Sequence, residues 1–125
     1  MGDKIRKLFE KILYFYDRAG EIMVKKYLGL LLKKMGRGCS FNKKISIVHP
    51  QNLEVGDFVS MGEGVYIAGY GRITIEDYVI ISAYSRIMSS KLDVSQPYKD
   101  RKHINEPIAI GKGVWIGMGA TVLGG

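Results

Sequence analysis

Aliphatic residues recur every six positions along most of this chain, and glycine or small polar residues fill the intervals. The spacing is clearest in residues 55–60 (VGDFVS), 61–66 (MGEGVY), 110–115 (IGKGVW) and 116–121 (IGMGAT). A strand has a side-chain period of two and a helix one of 3.6. A glycine-containing period of six therefore predicts a short flat strand and a tight turn, repeated many times, which is typical of a β-solenoid.

Three such hexads predict one coil of about eighteen residues, closing a triangular prism around an aliphatic core. The inward positions begin at Val55, Met61 and Ile67, and after a two-residue slip at Ile73 and Thr74 the register resumes at Ile75. We assign residues 39–125 to this mainly β domain.

Residues 4 to about 35 have a different pattern, in which apolar residues recur at helical spacing and lysines flank them. Gly20 weakens the middle of the pattern, and Gly36 and Gly38 end it. The pattern predicts one broken helix or two consecutive helices within a basic amphipathic segment, residues 1–38. Such a segment could cap the open end of the solenoid or pack on a neighbouring subunit. It could also attach the protein peripherally to an anionic membrane.

Charge is concentrated in that segment. The net charge of the chain is +7, but residues 1–38 carry ten Lys/Arg against four Asp/Glu, whereas residues 39–125 carry nine against eight. The nearly neutral repeat lacks the clustered cations of a nucleic-acid-binding face. A single cysteine, Cys39, excludes an intramolecular disulfide and a cysteine-based zinc site. With no long apolar span or signal peptide in the sequence, we expect a cytoplasmic location.

The repeat is interrupted once. Ile75 and Ile110 are 35 residues apart, where one coil would need about eighteen, so a loop of residues 89–107 leaves the scaffold. Long loops on regular scaffolds are often functional, and this one is polar, charged and contains His103, one of two histidines. The other, His49, precedes the first regular coil, and we interpret it as structural.

Residues 107–123 (PIAIGKGVWIGMGATVL) resemble the Pro-Ile-x-Ile-Gly-x-x-Val-Trp-Ile-Gly-x-x-Ala stretch of the hexapeptide-repeat acyltransferases. Residues 55–125 as a whole are similar to this family, particularly to the sugar and polysaccharide O-acetyltransferases of the maltose and galactoside type. The resemblance implies a left-handed parallel β-helix, a homotrimer, and acetyl-CoA lying in the groove between two prisms. It implies a sugar hydroxyl as acceptor, and no metal.

The resemblance also implies roles for individual residues. A histidine of the extruded loop, here His103, would be the general base, since histidine titrates near neutral pH without perturbation. Asp93 would lie at the acceptor site, where it or Glu106 could orient the imidazole. The remaining assignments are Trp115, Gly117, Gly119 and Ala120 for the coenzyme, and Tyr84 and Arg86 for the acceptor.

One position departs from the family pattern. Many relatives carry the catalytic histidine early in the loop, in a Ser-x-His-Asp-like context, and this chain has Leu92 there. Either His103 has taken over the role or the protein is a catalytically degenerate trimeric scaffold. An amino sugar as acceptor remains an alternative, and a zinc lyase of the carbonic anhydrase kind would need about three histidines. The six-residue repeat is still continuing when the sequence ends at Gly125. We therefore expect a C-terminally truncated chain with further coils beyond it.

Overall fold

The computed structural model describes residues 2–125 and contains a parallel β-helix with three faces. The first face consists of β1 (Lys34–Met35), β4 (Leu53–Val55), β7 (Ile73–Ile75) and β12 (Ile108–Ile110). The second consists of β2 (Ser40–Phe41), β5 (Ser60–Met61), β8 (Ile80–Ile81) and β13 (Trp115–Ile116). The third consists of β3 (Ser46–Val48), β6 (Tyr66–Ala68), β9 (Arg86–Met88) and β14 (Thr121–Leu123). This arrangement confirms the predicted fold class.

Each regular coil is twenty residues long, so the predicted period of eighteen was wrong. Lys34 pairs with Glu54, and Glu54 with Thr74. The inward residues Met35, Phe41, Ile47 and Val55 are therefore separated by six, six and eight positions. The two-residue slip seen in the sequence at Ile73 is a regular feature of every coil, and it lies at the corner between the third and first faces.

The core is a set of aliphatic columns that run along the axis of the prism. Leu53, Ile73 and Ile108 form one column, since their strands pair in this register. Ile67 and Ile87, both fully buried, belong to another. Because each side chain packs on its equivalents in the coils before and after, burial is nearly complete although each strand has only two or three residues.

Aromatic residues occupy left-handed turns at the corner between the first and second faces. Phe58 and Tyr78 both have positive φ, and their rings stack with centroids 5.4 Å apart. A side chain at Gly38, the equivalent position one coil earlier, would collide with the Phe58 ring. Ring stacking between coils thus accompanies a backbone conformation that bulky residues rarely adopt.

The N-terminal helix α1 (Gly2–Leu31) is continuous, so the predicted break did not occur. Gly20 instead permits a close approach. A Cβ there would lie 2.9 Å from Cδ of Lys43, whose side chain crosses the helix to reach Asp17 with Nζ and Oδ1 2.6 Å apart. The helix also ends earlier than expected, and the β-helix begins at Lys34 rather than at residue 39.

The C-terminal half of α1 covers the first coil of the β-helix. Leu28 is buried, and Val24 packs against the core beside Ile45 and Ile47. A second, longer row of apolar side chains faces solvent, and we call it the outer stripe. The outer stripe consists of Ile5, Leu8, Phe9, Ile12, Tyr16, Met23, Tyr27 and Leu30. No helix within residues 2–125 is long and apolar enough to cross a membrane.

Replacing Leu53 by Ala should lower the free energy of unfolding by about 2–5 kcal/mol, because the residue is fully buried and its removal leaves a cavity. Leu30→Ala is the matched control. Leu30 is 86% exposed, so the same change there should alter stability by less than about 0.5 kcal/mol. Urea unfolding followed by circular dichroism measures both. Equal losses in the two variants would contradict the described core.

Candidate active site

The interruption of the repeat is a β-hairpin that leaves the corner between the third and first faces. Its strands are β10 (Ser90–Leu92) and β11 (His103–Asn105), which pair antiparallel, and a short 3₁₀ helix (Tyr98–Asp100) lies near its tip. The insertion adds fifteen residues to the coil, since Ile73 pairs with Ile108. The register of the scaffold is preserved, and the hairpin lies within the loop that we predict over residues 89–107.

His103 lies directly opposite Leu92 in this hairpin. The backbone amide of Asp93 donates to the carbonyl of Lys102 with N and O 2.9 Å apart, which fixes that register. Directly opposed residues of an antiparallel pair project to the same side, with Cβ atoms about 5 Å apart. The imidazole of His103 therefore lies next to position 92, where the family resemblance leads us to expect a histidine.

His103 and Leu92 line a cleft of about 730 Å³ between the hairpin and the third face. The remaining lining residues are Tyr66, Tyr70, Met88, Ser90, Lys91, Asn105 and Leu123. Aromatic and aliphatic walls with a few polar groups are usual for small-molecule sites. A smaller depression of about 270 Å³ lies on the first face, beside Glu54 and Lys112, and contains no histidine.

The two carboxylates considered as partners of the imidazole bind other groups. Oδ1 of Asp93 accepts hydrogen bonds from the hydroxyl and the backbone amide of Ser95, at 2.5 and 3.1 Å, and the pKa of Asp93 is lowered for that reason. Oε1 of Glu106 lies 2.9 Å from Nζ of Lys91. Within residues 2–125, neither carboxylate is hydrogen-bonded to His103.

The four residues assigned to the coenzyme lie away from this cleft. Trp115 is 74% exposed on the second face, where its indole N–H donates to Oγ of Ser82 at 2.8 Å. Gly117 and Gly119 form the following turn, and Ala120 packs against the core. One chain therefore does not bring these residues together with His103.

Of the other two predicted acceptor residues, Tyr84 and Arg86, one lies close to the cleft. Arg86 pairs with Tyr66 on the third face, and Tyr66 lines the cleft. Tyr84 sits in the preceding turn with a positive φ, and its ring covers Gly64.

Two aromatic residues of the cleft were not singled out from the sequence, and His49, interpreted there as structural, lies beside them. Tyr66 and Tyr70 line the cleft, and His49 packs edge-on against Tyr70 with centroids 4.9 Å apart. His49 lies near the cleft because successive coils stack the same corner of the prism, although 54 positions separate it from His103. The twenty-residue period is the signal that would have revealed this proximity.

Other reactive groups are few. Cys39 is buried, its thiol donates to the carbonyl of Gly56 at 3.2 Å, and burial raises its pKa, so the thiol is not activated as a nucleophile. Among residues 2–125 there is no cluster of three or more His, Cys, Asp or Glu side chains arranged to hold a metal ion.

Comparison with known sequences finds similarity to a probable acetyltransferase. No protein-family model matches the chain. A probable acetyltransferase from Mycobacterium tuberculosis is 32% identical over 96 residues, which cover 74% of this chain and 32% of that protein. The chain therefore spans about a third of the length of this relative.

Comparison of structures shows the same fold in two bacterial acyltransferases. A hexapeptide-repeat-containing acetyltransferase from Vibrio cholerae matches with a TM-score of 0.72 and 20% identity, over 84% of this chain and 60% of that one. AntD, an N-acyltransferase from Bacillus cereus in complex with dTDP and 3-hydroxybutyryl-CoA, matches with a TM-score of 0.60 and 14% identity, over 80% and 68%. The fold is thus the left-handed parallel β-helix of hexapeptide-repeat proteins.

Ser95→Ala should raise the pKa of Asp93 toward that of an ordinary aspartate, because the hydroxyl is the main group favouring the charged form. The hydrogen bonds at the hairpin tip stabilise the hairpin at neutral pH, and this contribution is lost as the pH falls through the pKa of Asp93. An NMR titration of the carboxyl carbon measures the shift. Ser90→Ala, on the same hairpin, should leave this pKa unchanged, and equal shifts in both variants would contradict the assignment.

Proposed function

We propose that the protein is an acetyltransferase that moves the acetyl group of acetyl-CoA to a hydroxyl of a sugar or of a surface polysaccharide unit, with His103 as general base. The observation that carries the proposal is the position of His103 beside Leu92, inside the cleft. The relatives in sequence and in fold include acetyltransferases and an acyltransferase crystallised with an acyl-CoA, which supports this class of reaction.

The chemistry requires one base and no covalent enzyme intermediate. A ring nitrogen of His103 accepts the proton of the acceptor hydroxyl while the oxygen bonds to the thioester carbonyl carbon. The carbon–sulfur bond then breaks, and the imidazolium returns the proton to the leaving thiolate. The products are an acetyl ester and the free thiol of CoA, so protons and electrons balance. Such general-base catalysis contributes about two to four decades in rate.

The acceptor would lie between the hairpin and the third face. Tyr66 and Tyr70 supply aromatic surface for the apolar side of a sugar ring. Asn105, two positions from His103 on the same strand, supplies an amide to a neighbouring hydroxyl. Arg86 next to Tyr66, Tyr84 in the turn below and Asp93 at the hairpin are the further contacts that we propose.

The coenzyme would lie along Trp115, Gly117, Gly119 and Ala120 of a second copy. Small residues there would let an extended pantetheine arm approach the backbone closely. The second face exposes Ile80 and Trp115, and exposed apolar side chains of this kind support self-association. We therefore propose a homotrimer in which this face meets the cleft of its neighbour.

Light scattering of the complete protein should give a trimer, and Trp115→Glu should shift it toward the monomer, because a charge would be buried without a partner. Lys34→Glu on the first face is the matched control, because that face takes no part in the proposed interface, and it should leave the trimer intact. A monomeric wild-type protein at micromolar concentration would contradict the shared site.

The main alternative acceptor is an amino sugar. AntD, which shares the fold, is an N-acyltransferase, and one of its structures contains dTDP-4-amino-4,6-dideoxyglucose. Thiol release from acetyl-CoA, assayed with paired hydroxy and amino sugars, separates the two classes of acceptor.

His103→Ala should lower kcat for thiol release by about two to four decades. Lys102→Ala is the matched control, since the side chain of the preceding residue projects to the opposite side of the strand and should leave kcat within about threefold. An unchanged rate in His103→Ala would refute the assignment of the base. Inactivity of the wild-type protein toward every acceptor would favour the scaffold alternative.

A double exchange tests the cross-strand geometry itself. Leu92→His combined with His103→Leu moves the imidazole to the directly opposite position of the hairpin while keeping both residue types. We expect it to recover at least about one decade of the rate lost in His103→Leu alone, because position 92 lines the same cleft and is where the family resemblance leads us to expect a histidine. Recovery would not occur if His103 acted only through the fold of the hairpin.

A further inference from the structure

The outer stripe of α1 is not the surface that packs on the β-helix. Val24, Leu28 and Leu31 line the contact with the first coil. With a rotation of 100° per residue, these three side chains point about 105° away, around the helix axis, from the centre of the outer stripe. The amphipathic pattern of the sequence thus has two parts. The longer part touches the β-helix at one border, where Nζ of Lys43 lies 3.9 Å from the centroid of the Tyr16 ring and Tyr27 lines the depression beside Ile45 and Ile47. Its other side chains face solvent.

The outer stripe runs from Ile5 to Leu30, a distance of about 38 Å at 1.5 Å per residue. Its side chains are 43–86% exposed. With Leu13 and Phe15 at its borders, the apolar sector spans about 160° of the helix circumference. Two-helix seams use a narrower a/d stripe, so this width is better matched to a flat apolar medium.

The acids of α1 lie on the side opposite the stripe, whereas its cations are spread around the helix. Asp3, Glu10, Asp17 and Glu21 lie about 145° from the centre of the stripe. Each of these acids is paired with a cation, at nitrogen–oxygen distances of 2.6–3.7 Å.

Lysines border the stripe and lack such partners. Lys4 and Lys11 flank one edge, and Lys26 lies within the stripe. Within residues 2–125 none of the three forms an ion pair. A helix approaching with the outer stripe in front therefore presents unpaired positive charge beside apolar side chains, while its acids point toward the β-helix.

We propose that the outer stripe binds the surface of an anionic lipid bilayer, with α1 lying in the plane of the interface. The apolar side chains enter the boundary between headgroups and acyl chains, and the flanking lysines contact lipid phosphates. The helix does not cross the bilayer. The β-helix, attached through the last four turns of α1, stays on the water side.

The experiment is co-sedimentation of the complete protein with vesicles of phosphatidylcholine alone or of phosphatidylcholine mixed with phosphatidylglycerol. We expect binding to the mixed vesicles only, weakening as salt is raised. Lys4→Gln with Lys11→Gln should weaken it by about thirtyfold. Phe9→Gln with Ile12→Gln should abolish it. All four positions are exposed, so circular dichroism and the melting temperature should not change.

Lys99→Gln with Lys102→Gln is the matched control, because it removes the same charge from the exposed hairpin instead. This pair should leave vesicle binding within about twofold. Equal weakening by both lysine pairs would overturn the proposal, since binding would then follow net charge alone. Absence of binding to the mixed vesicles would also overturn it, as would self-association that needs Phe9 and Ile12 but no lipid, which would identify a second copy as the occupant.

Discussion

The stacking of equivalent residues at intervals of twenty positions is the constraint on which the rest of this structure depends. Each strand is two or three residues long and could not stand alone. Its stability comes from the aliphatic column that it shares with the coils on either side. Leu53, Ile73 and Ile108 show this most clearly, because the third residue keeps its place in the column although fifteen additional residues precede it.

That constraint also determines where chemistry can be added. The corner between the third and first faces has two residues more than the other corners, and the same corner holds His49, Tyr70 and the hairpin in successive coils. A chain segment inserted there leaves the pairing of the following coil intact. The cleft therefore lies between the third face, which is a rigid wall, and a hairpin whose residues do not have to fill the core.

The inward positions could be predicted from the sequence because burial requires aliphatic residues, and Val55, Met61 and Ile67 mark them plainly. The length of the coil could not be predicted, because the two extra residues were noticed only at Ile73 and Thr74. They are in fact present in every coil, at the corner between the third and first faces. The hairpin was predicted only as a loop, because its strands are polar and exposed. The opposition of His103 and Leu92 depends on the register of β10 and β11, which the turn between Asp93 and Lys102 determines.

The helix illustrates a different limit. A hydrophobic pattern indicates that a helix face is buried but does not identify what covers it. In α1, the residues of two such faces alternate along the same stretch of sequence. Only the contacts of Val24 and Leu28 separate them. Once that smaller face is assigned to the first coil, the outer stripe is not needed to cover the core of the β-helix. Its exposed aromatic side chains and unpaired lysines then require an explanation outside the domain, and an interface that is both apolar and anionic satisfies both requirements at once.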